Sequence, residues 1–408
     1  MKSVELFAGA GGLGMGLSLA GFDPVAVIEW DRWATDTLRE NRDRGFPLLS
    51  GWPIHQGDVR GFDYAGLGEG VDLVSGGPPC QPFSMGGKHL AHDDHRDMFP
   101  AAIKVIRILK PRAFILENVK GLTRSAFSNY LQYIQFQLAR PEIVRLSDET
   151  WQDHHARLQR EHTARAASSG TPTGLCYNVT RTLVNAADYG VPQKRERLFL
   201  IGFRNDLNVE WSFPAPTHSA DALQDAKWAT GDYWDRHGLR RPPVPASHSL
   251  RARTYQQRND RSDELEPWRT VRDAVEGLPD PTTNGVTGWF DHRFQPGARS
   301  YKGHTGSPLD LPAKTLKAGD HGVPGGENMM VRTDGTVRYF SVRESARLQT
   351  FPDTFKFHGA WSEAMRQLGN AVPVNLAHIV GASVATRLIE AQERDLRAAM
   401  LRQTVGNA

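Results

Sequence analysis

With 408 residues, 39 % of them hydrophobic and 23 % charged, the chain has the composition of an ordinary soluble protein and is long enough for two or so domains. Only two cysteines occur, Cys80 and Cys176, which excludes a disulfide framework and a zinc site of paired cysteines, and no apolar run approaches the length that crosses a bilayer. The N-terminus enters a strand pattern without a signal-peptide layout, so a cytoplasmic location is expected, and a net charge of +3 does not by itself argue for a nucleic-acid partner.

Residues 4–7 read as a short strand, and 8–17 open a helix that runs to about Ala20. Gly9, Gly11 and Gly14 follow the G-x-G-x-x-G spacing, whose glycines let a ligand approach the backbone. A second strand, 25–28, ends at Glu29, where an acid can accept hydrogen bonds from a ribose. Such a unit binds a nucleoside-containing cofactor, although the spacing does not separate a dinucleotide from S-adenosylmethionine and also suits a plain strand-to-helix turn. Trp30 offers a face for an adenine or a piece of core, and Trp33 reads as packing. A third strand, at Ile54, leads to Gly57-Asp58; Asp58 either receives an adenine amine or caps a turn.

The fourth strand, 71–75, runs into Gly76-Gly77-Pro78-Pro79-Cys80. Two glycines permit close backbone approach, two prolines set the path, and a thiol so held at the carboxyl end of a strand is a candidate nucleophile. The loop 85–100 carries His89, His92, His95, Asp93 and Asp94; without a helix to set ligand geometry it reads as a mobile lid, and no metal is expected. A helix over 98–109 precedes a fifth strand, 113–116, that ends in Glu117-Asn118-Val119. A carboxyl following four apolar residues is partly desolvated, which raises its pKa and suits it to donate a proton. Residues 140–174 form a charged, weakly periodic, solvated insertion with some helix.

Strands at 177–184 and 198–203 flank Gln193-Lys194-Arg195-Glu196-Arg197, where Arg195 and Arg197, two apart, should share one side of an extended segment. From 205 to 334 periodicity fades. Arg236, Arg240, Arg241, Arg251, Arg253, Arg258 and Arg261 cluster there among Trp211, Trp228, Trp234, Trp268 and Trp289, the pattern of a nucleic-acid-facing module. A strand at 307–317 and a glycine-rich loop at 319–326 follow. Periodicity returns in a helix at 341–349, with Ser341 as N-cap and Glu344 completing a capping box, then the turn Gly369-Asn370-Ala371-Val372 and a last helix from about Asn375 to Arg397.

Taken in order, the blocks at 5–12, 29–31, 57–58, 77–84, 117–119, 193–197, 343–349 and 369–372 resemble the DNA (cytosine-5) methyltransferase family, prokaryotic type. The resemblance implies an α/β fold: the Rossmann-like, S-adenosylmethionine-dependent methyltransferase sheet, mostly parallel with one antiparallel strand, carrying a smaller irregular target-recognition domain. The implied divisions are a catalytic domain at 1–204, a recognition domain at 205–334 and a return to the catalytic domain at 335–408. S-adenosylmethionine would be held by Phe7, Ala8, Gly9, Ala10, Gly11, Gly12, Leu13, Glu29, Trp30, Asp58, Val59 and Pro79, with Asn370, Ala371 and Val372 brought beside the first glycine turn.

In that family a thiolate adds to carbon 6 of cytosine and so activates carbon 5 for methylation, which assigns Cys80 as nucleophile and Glu117 as proton donor to ring nitrogen 3. Arg195 and Arg197 would stabilise the 2-oxo group and hold the Cys80 loop. The target must be flipped out of double-stranded DNA, with Gln81, Ser84, Arg96, Arg240, Arg241, Arg251 and Arg253 as DNA contacts. A monomer on DNA, possible partnership with a restriction enzyme or other defence protein, and no membrane partner are implied. An RNA methyltransferase, a non-catalytic docking subunit and a nicotinamide-dependent dehydrogenase are the alternatives; the last leaves Pro78-Pro79-Cys80-Gln81 unexplained.

Overall fold

The computed structural model describes residues 1–79, 97–166, 174–248, 265–282, 288–302, 304–318 and 328–406. Cys80, Gln81, Ser84, Arg96, Arg251 and Arg253, the His and Asp residues of 89–95, and the loop 319–326 lie outside them. The chain divides into two units, one of Met1–Val184, Glu196–Pro214 and Ala377–Ala408, the other of Asn185–Arg195 and Ala215–Leu376.

The first unit is built on a seven-stranded sheet: β1 (Lys2–Leu6), β2 (Asp23–Glu29), β3 (Ile54–Gln56), β4 (Leu73–Gly76), β5 (Ala113–Val119), β6 (Tyr177–Asn185) and β7 (Glu196–Arg204), in the order β3-β2-β1-β4-β5-β7-β6. From β3 to β5 neighbours are parallel, and β7 runs antiparallel to β5. The chain winds outward from β1 to β3, then returns to the other side of β1 to lay down β4. The carboxyl ends of β1 and β4 therefore emerge side by side, Leu6 opposite Gly76, at the crevice where open α/β sheets hold ligands. Gly76 is required there: a Cβ would stand 2.4 Å from the Leu6 carbonyl oxygen.

The central strands form because they are largely apolar on both faces. β4 is buried throughout, and Val4, Leu6, Val74, Phe114 and Leu116 share one core with helix α3 (Phe99–Leu109). α3 stops at Lys110, in the left-handed conformation just before Pro111. Helices α1 (Gly12–Leu19) and α2 (Arg32–Asp43) follow β1 and β2; the Asp31 carboxylate caps α2 by accepting from the Ala34 N–H at 2.9 Å.

The insertion departs from the solvated segment expected of it. Helix α5 (Trp151–Ala166) packs on α4 (Ser128–Ala139), with Leu158 and His154 almost wholly buried. Charge on its outer face had masked an inner row at Trp151, His154 and Leu158, spaced three and four apart. The stretch Trp361–Gln403, which includes most of the last helix (Val374–Gly406), departs from another expectation, being long and apolar enough to cross a membrane by length and composition. The first half of that helix's apolar face is core here: Val380, Val384 and Leu388 are fully buried, and Gly381 lies so close to α1 that a Cβ would meet Leu17 and Ala20, whereas Ile389, Leu396, Met400 and Leu401 are exposed.

Among the described residues the second unit has only short elements, including the strands Ser307–Pro308, Met329–Val331 and Val337–Tyr339 and the helices Val342–Leu348 and Trp361–Asn370. The capping box at Ser341 and Glu344 is present as expected, whereas the strand expected over 307–317 shrinks to two residues. Four of the five tryptophans singled out between 205 and 334 are packed rather than displayed. Trp234 is buried beside Tyr233, Trp228 and Trp268 pack against that pair, and Trp211 belongs to the first unit against Phe203 and Phe213. The large apolar area of an indole made core the better use of these side chains.

Candidate active site

At the end of β4 the turn Gly76–Pro79 leads to Cys80, and β5 lies alongside with Gly76 opposite Leu116. This register places Glu117 against Gly77: a Cβ on Gly77 would come within 3.2 Å of Glu117 Oε2. Asn118 Nδ2 donates to the Pro78 carbonyl at 2.9 Å, fixing the turn from the adjacent strand. Across the antiparallel β5–β7 pair, Arg197 reaches Glu117, Nε to Oε1 at 2.7 Å, with both side chains 8 % exposed. Burial pulls the Arg197 guanidinium down from its ordinary pKa, and the Glu117 charge opposes that pull. The structure thus supplies what the strand-end reading of Glu117 lacked, an ionic partner contributed by the neighbouring strand β7 from residues about 80 positions later.

The turn after β1 bends sharply, with positive φ at Phe7 (54°), Gly9 (55°) and Gly11 (82°). A bulky non-glycine residue in the left-handed region is strained, and such strain is held where surrounding structure over-determines it. Glu29 supplies part of that hold. Its Oε2 accepts from the Gly9 N–H at 2.6 Å and its Oε1 from the Asp31 N–H at 2.6 Å, while burial pushes its pKa up. Trp30 is 67 % exposed, which decides between its two readings in favour of a free indole face. Val59 is buried and Pro79 exposed. Asp58 is engaged by Arg60, whose Nη2 lies 2.5 Å from Oδ2, and the guanidinium holds the carboxyl below the usual carboxylate range.

Two features of this region escaped sequence reasoning. Arg60 is one, although its place two residues after Asp58 was a signal for an Asx-type turn. Glu5 is the other: it is 2 % exposed, accepts from Ser75 Oγ and the Gly14 N–H, and burial pushes its carboxyl up to about 8. An acid alternating with Val4 and Leu6 in a central strand was the available sign.

In the second unit, Arg195 is fully buried, and its guanidinium donates to the carbonyls of Leu316 (3.1 Å), Gly369 (2.7 Å) and Ala371 (2.8 Å). Gln193 accepts from the Leu316 N–H at 2.9 Å, and Gln349 donates to the Leu368 carbonyl at 2.5 Å. Gly369 admits no side chain, since a Cβ would lie 2.2 Å from the Ala318 nitrogen. Asn370 is exposed, followed by buried Ala371 and Val372. Arg195 and Arg197, expected to share one side, thus have different partners: one binds the carbonyls around the Gly369 turn, the other the Glu117 carboxylate. Arg240 and Arg241 are both exposed, the second also donating to the Trp228 carbonyl.

A sheet that reverses its winding beside a glycine turn, with a buried acid-arginine pair next to a rigid Gly-Pro-Pro turn, defines an α/β enzyme of the nucleoside-cofactor class. Its family is shown by sequence. Residues 1–140 and 167–386 match the C-5 cytosine-specific DNA methylase family, and the chain belongs to it: this is a C-5 cytosine DNA methyltransferase. The chain is 32 % identical over 402 residues to the type II methyltransferase M.PspPI of Psychrobacter sp. (strain TA137), covering 96 % of this chain and 80 % of that protein. To M.NgoMIV of Neisseria gonorrhoeae it is 29 % identical, covering 95 % and 97 %. The S. pombe Dnmt2 methyltransferase has the same fold at a TM-score of 0.52 and 17 % identity, over 96 % of this chain and 99 % of that one. The family uses S-adenosylmethionine and acts on DNA.

Proposed function

We propose that this chain methylates carbon 5 of a cytosine flipped out of duplex DNA, in a specific sequence read by the second unit, with Cys80 as the nucleophile. One juxtaposition supports the residue roles above all: the Gly76–Pro79 turn that leads to Cys80 lies against Glu117 and Asn118, and Arg197 is paired with that Glu117. The residues after β1 and β2 fit S-adenosylmethionine. Space is open where a Gly9 side chain would project, a carboxylate stands at the end of β2, and the Trp30 indole is free for stacking. Phe7 to Leu13, Glu29, Trp30, Asp58, Val59 and Pro79 would hold it, together with Asn370, Ala371 and Val372. When bound, it supplies a methyl group on an electrophilic sulfonium.

Cys80, as thiolate, adds to carbon 6 and makes carbon 5 nucleophilic enough to take the methyl group. Glu117 donates a proton to ring nitrogen 3 as negative charge develops there. Because Glu117 is ion-paired with Arg197, it must take up that proton as the base arrives, and Arg197 then faces the 2-oxo group. We assign Arg195 to holding the Gly369–Ala371 turn. After transfer the carbon-5 proton leaves to a base, here read as water, and Cys80 is expelled. Gln81, Ser84, Arg96, Arg240, Arg241, Arg251 and Arg253 are assigned to DNA. Since both relatives named above are type II methyltransferases, we assign the chain to a restriction-modification setting; we also read it as cytoplasmic and as a monomer on DNA.

Expression in a host without cytosine methylation, followed by bisulfite sequencing of its DNA, tests this reading. Wild-type protein should protect cytosines in one motif, and Cys80→Ser should lower protection by at least about a thousandfold. A soluble wild-type protein that binds S-adenosylmethionine yet protects no cytosine would overturn it.

A further inference from the structure

The family match skips residues 141–166, and the helix that fills this gap is not decoration on the first unit. Its first residue, Trp151, stands edge-on to Tyr130 of α4 at 6.1 Å between ring centroids and also contacts Tyr133 at 5.6 Å. His154 locks the two helices. Its Nε2 lies 2.9 Å from the Ile143 carbonyl, which can only accept, so Nε2 carries the hydrogen; Nδ1 of the neutral ring then accepts from the Tyr133 hydroxyl at 2.8 Å. Leu158 closes the contact from within the core.

From Tyr130 the contacts lead to the nucleophile turn. The Tyr130 hydroxyl donates to Asp97 Oδ2, and Asp97 Oδ1 accepts from the Phe99 N–H at 3.2 Å, in the first turn of α3. Between them, the Met98 N–H donates to the Pro79 carbonyl at 3.1 Å. Pro79 is the residue before Cys80. Asp97 and Tyr130 are both buried, so this tie is shielded from competing water.

We propose that Tyr130, backed by Trp151 of the inserted helix, is a positioning residue for methyl transfer, acting through Asp97 and Met98 on the backbone of Pro79. The insertion then serves the reaction by bracing the turn that presents Cys80, and its removal acts on chemistry more than on cofactor binding. This rests on the assignment of Cys80 as nucleophile.

The test follows transfer of the tritiated methyl group from S-adenosylmethionine to unmethylated bacterial genomic DNA in a single turnover, well below each variant's melting temperature, with cofactor affinity measured by calorimetry. Tyr130→Phe keeps the ring and loses only the hydroxyl; Trp151→Phe keeps an aromatic ring of smaller reach should Trp151→Ala fail to fold. Transfer about tenfold slower at saturating cofactor in Tyr130→Phe and in a Trp151 variant, with any loss of cofactor affinity through Pro79 clearly smaller than that, is the expected result. Transfer at the wild-type rate, or a loss matched by weaker cofactor binding, would overturn the inference. Absence of transfer by the wild-type protein would instead overturn the methylation reading on which it rests.

Discussion

The two units solve the problem of a buried backbone in opposite ways. In the first, Val4, Leu6, Leu73, Val74, Ile115 and Leu116 are essentially inaccessible, and the peptide groups around them pair in sheet ladders. In the second, the largest fully buried side chains are Arg195 and Arg343, and both donate to backbone carbonyls. Arg343 serves Phe290, Pro352 and Phe355 in this way. A fold of two- and three-residue strands leaves carbonyls without ladder partners, and a guanidinium with five donors can satisfy several at once. The first unit should therefore be sensitive to shape, the second to the loss of a donor.

Arg195→Met tests that contrast most strongly. It leaves three buried carbonyls short of a donor and should cost about 3–5 kcal/mol in urea unfolding, with faster hydrogen exchange at 313–318 and 366–372. Arg195→Lys should recover only part, because an ammonium lacks the planar fork. Equal acceleration of exchange along β1, β4 and β5 would break the comparison.

On the other side, Gly76→Ala removes no donor but drives a Cβ toward the Leu6 carbonyl. It should lower the stability of the first unit by about 1–3 kcal/mol, read from the urea midpoint. An unchanged midpoint would mean that β1 and β4 separate easily and that shape is not the governing term there.

The third test is a pH dependence, small per pH unit but cumulative. Burial holds Glu5 at about 8 against an ordinary value of 4.5, so across that interval the folded state keeps a proton that the unfolded state releases. Its contribution to stability is complete below the unfolded value and is lost as pH rises through the folded one. Relative to Glu5→Gln, wild-type stability should fall by at most about 1.4 kcal/mol per pH unit over that window and level off above it. A difference flat in pH would show that Glu5 is not protonated in the folded state.

Legibility followed the same division. β1, β2, β4 and β5 were readable because a strand buried on both faces is a continuous apolar run, and their turns carry glycine and proline for steric reasons visible in the letters. Helix α5 was misread because charge on its outer face outweighed three inward residues. Trp228, Trp234 and Trp268 pack inward, which composition could not show because an aromatic-plus-arginine content is shared by a nucleic-acid surface and by a small core whose cations serve carbonyls. Lys227 shows the second case: it is buried beside Trp228, Tyr233 and Trp234 and donates to the Asp310 carbonyl at 2.8 Å.

By itself the sequence determined the family, the order of the strand-ending motifs and the residue types gathered at each turn, since turn chemistry and apolar runs are local and need no partner to be recognised. The tertiary structure alone decided which charges meet: that Arg197 pairs with Glu117, that Arg195 binds the carbonyls of the Gly369 turn, and that Glu5 accepts from Ser75. Those outcomes depend on strand register and on which carbonyls a fold leaves unpaired, and both arise only when segments distant in the chain are packed side by side.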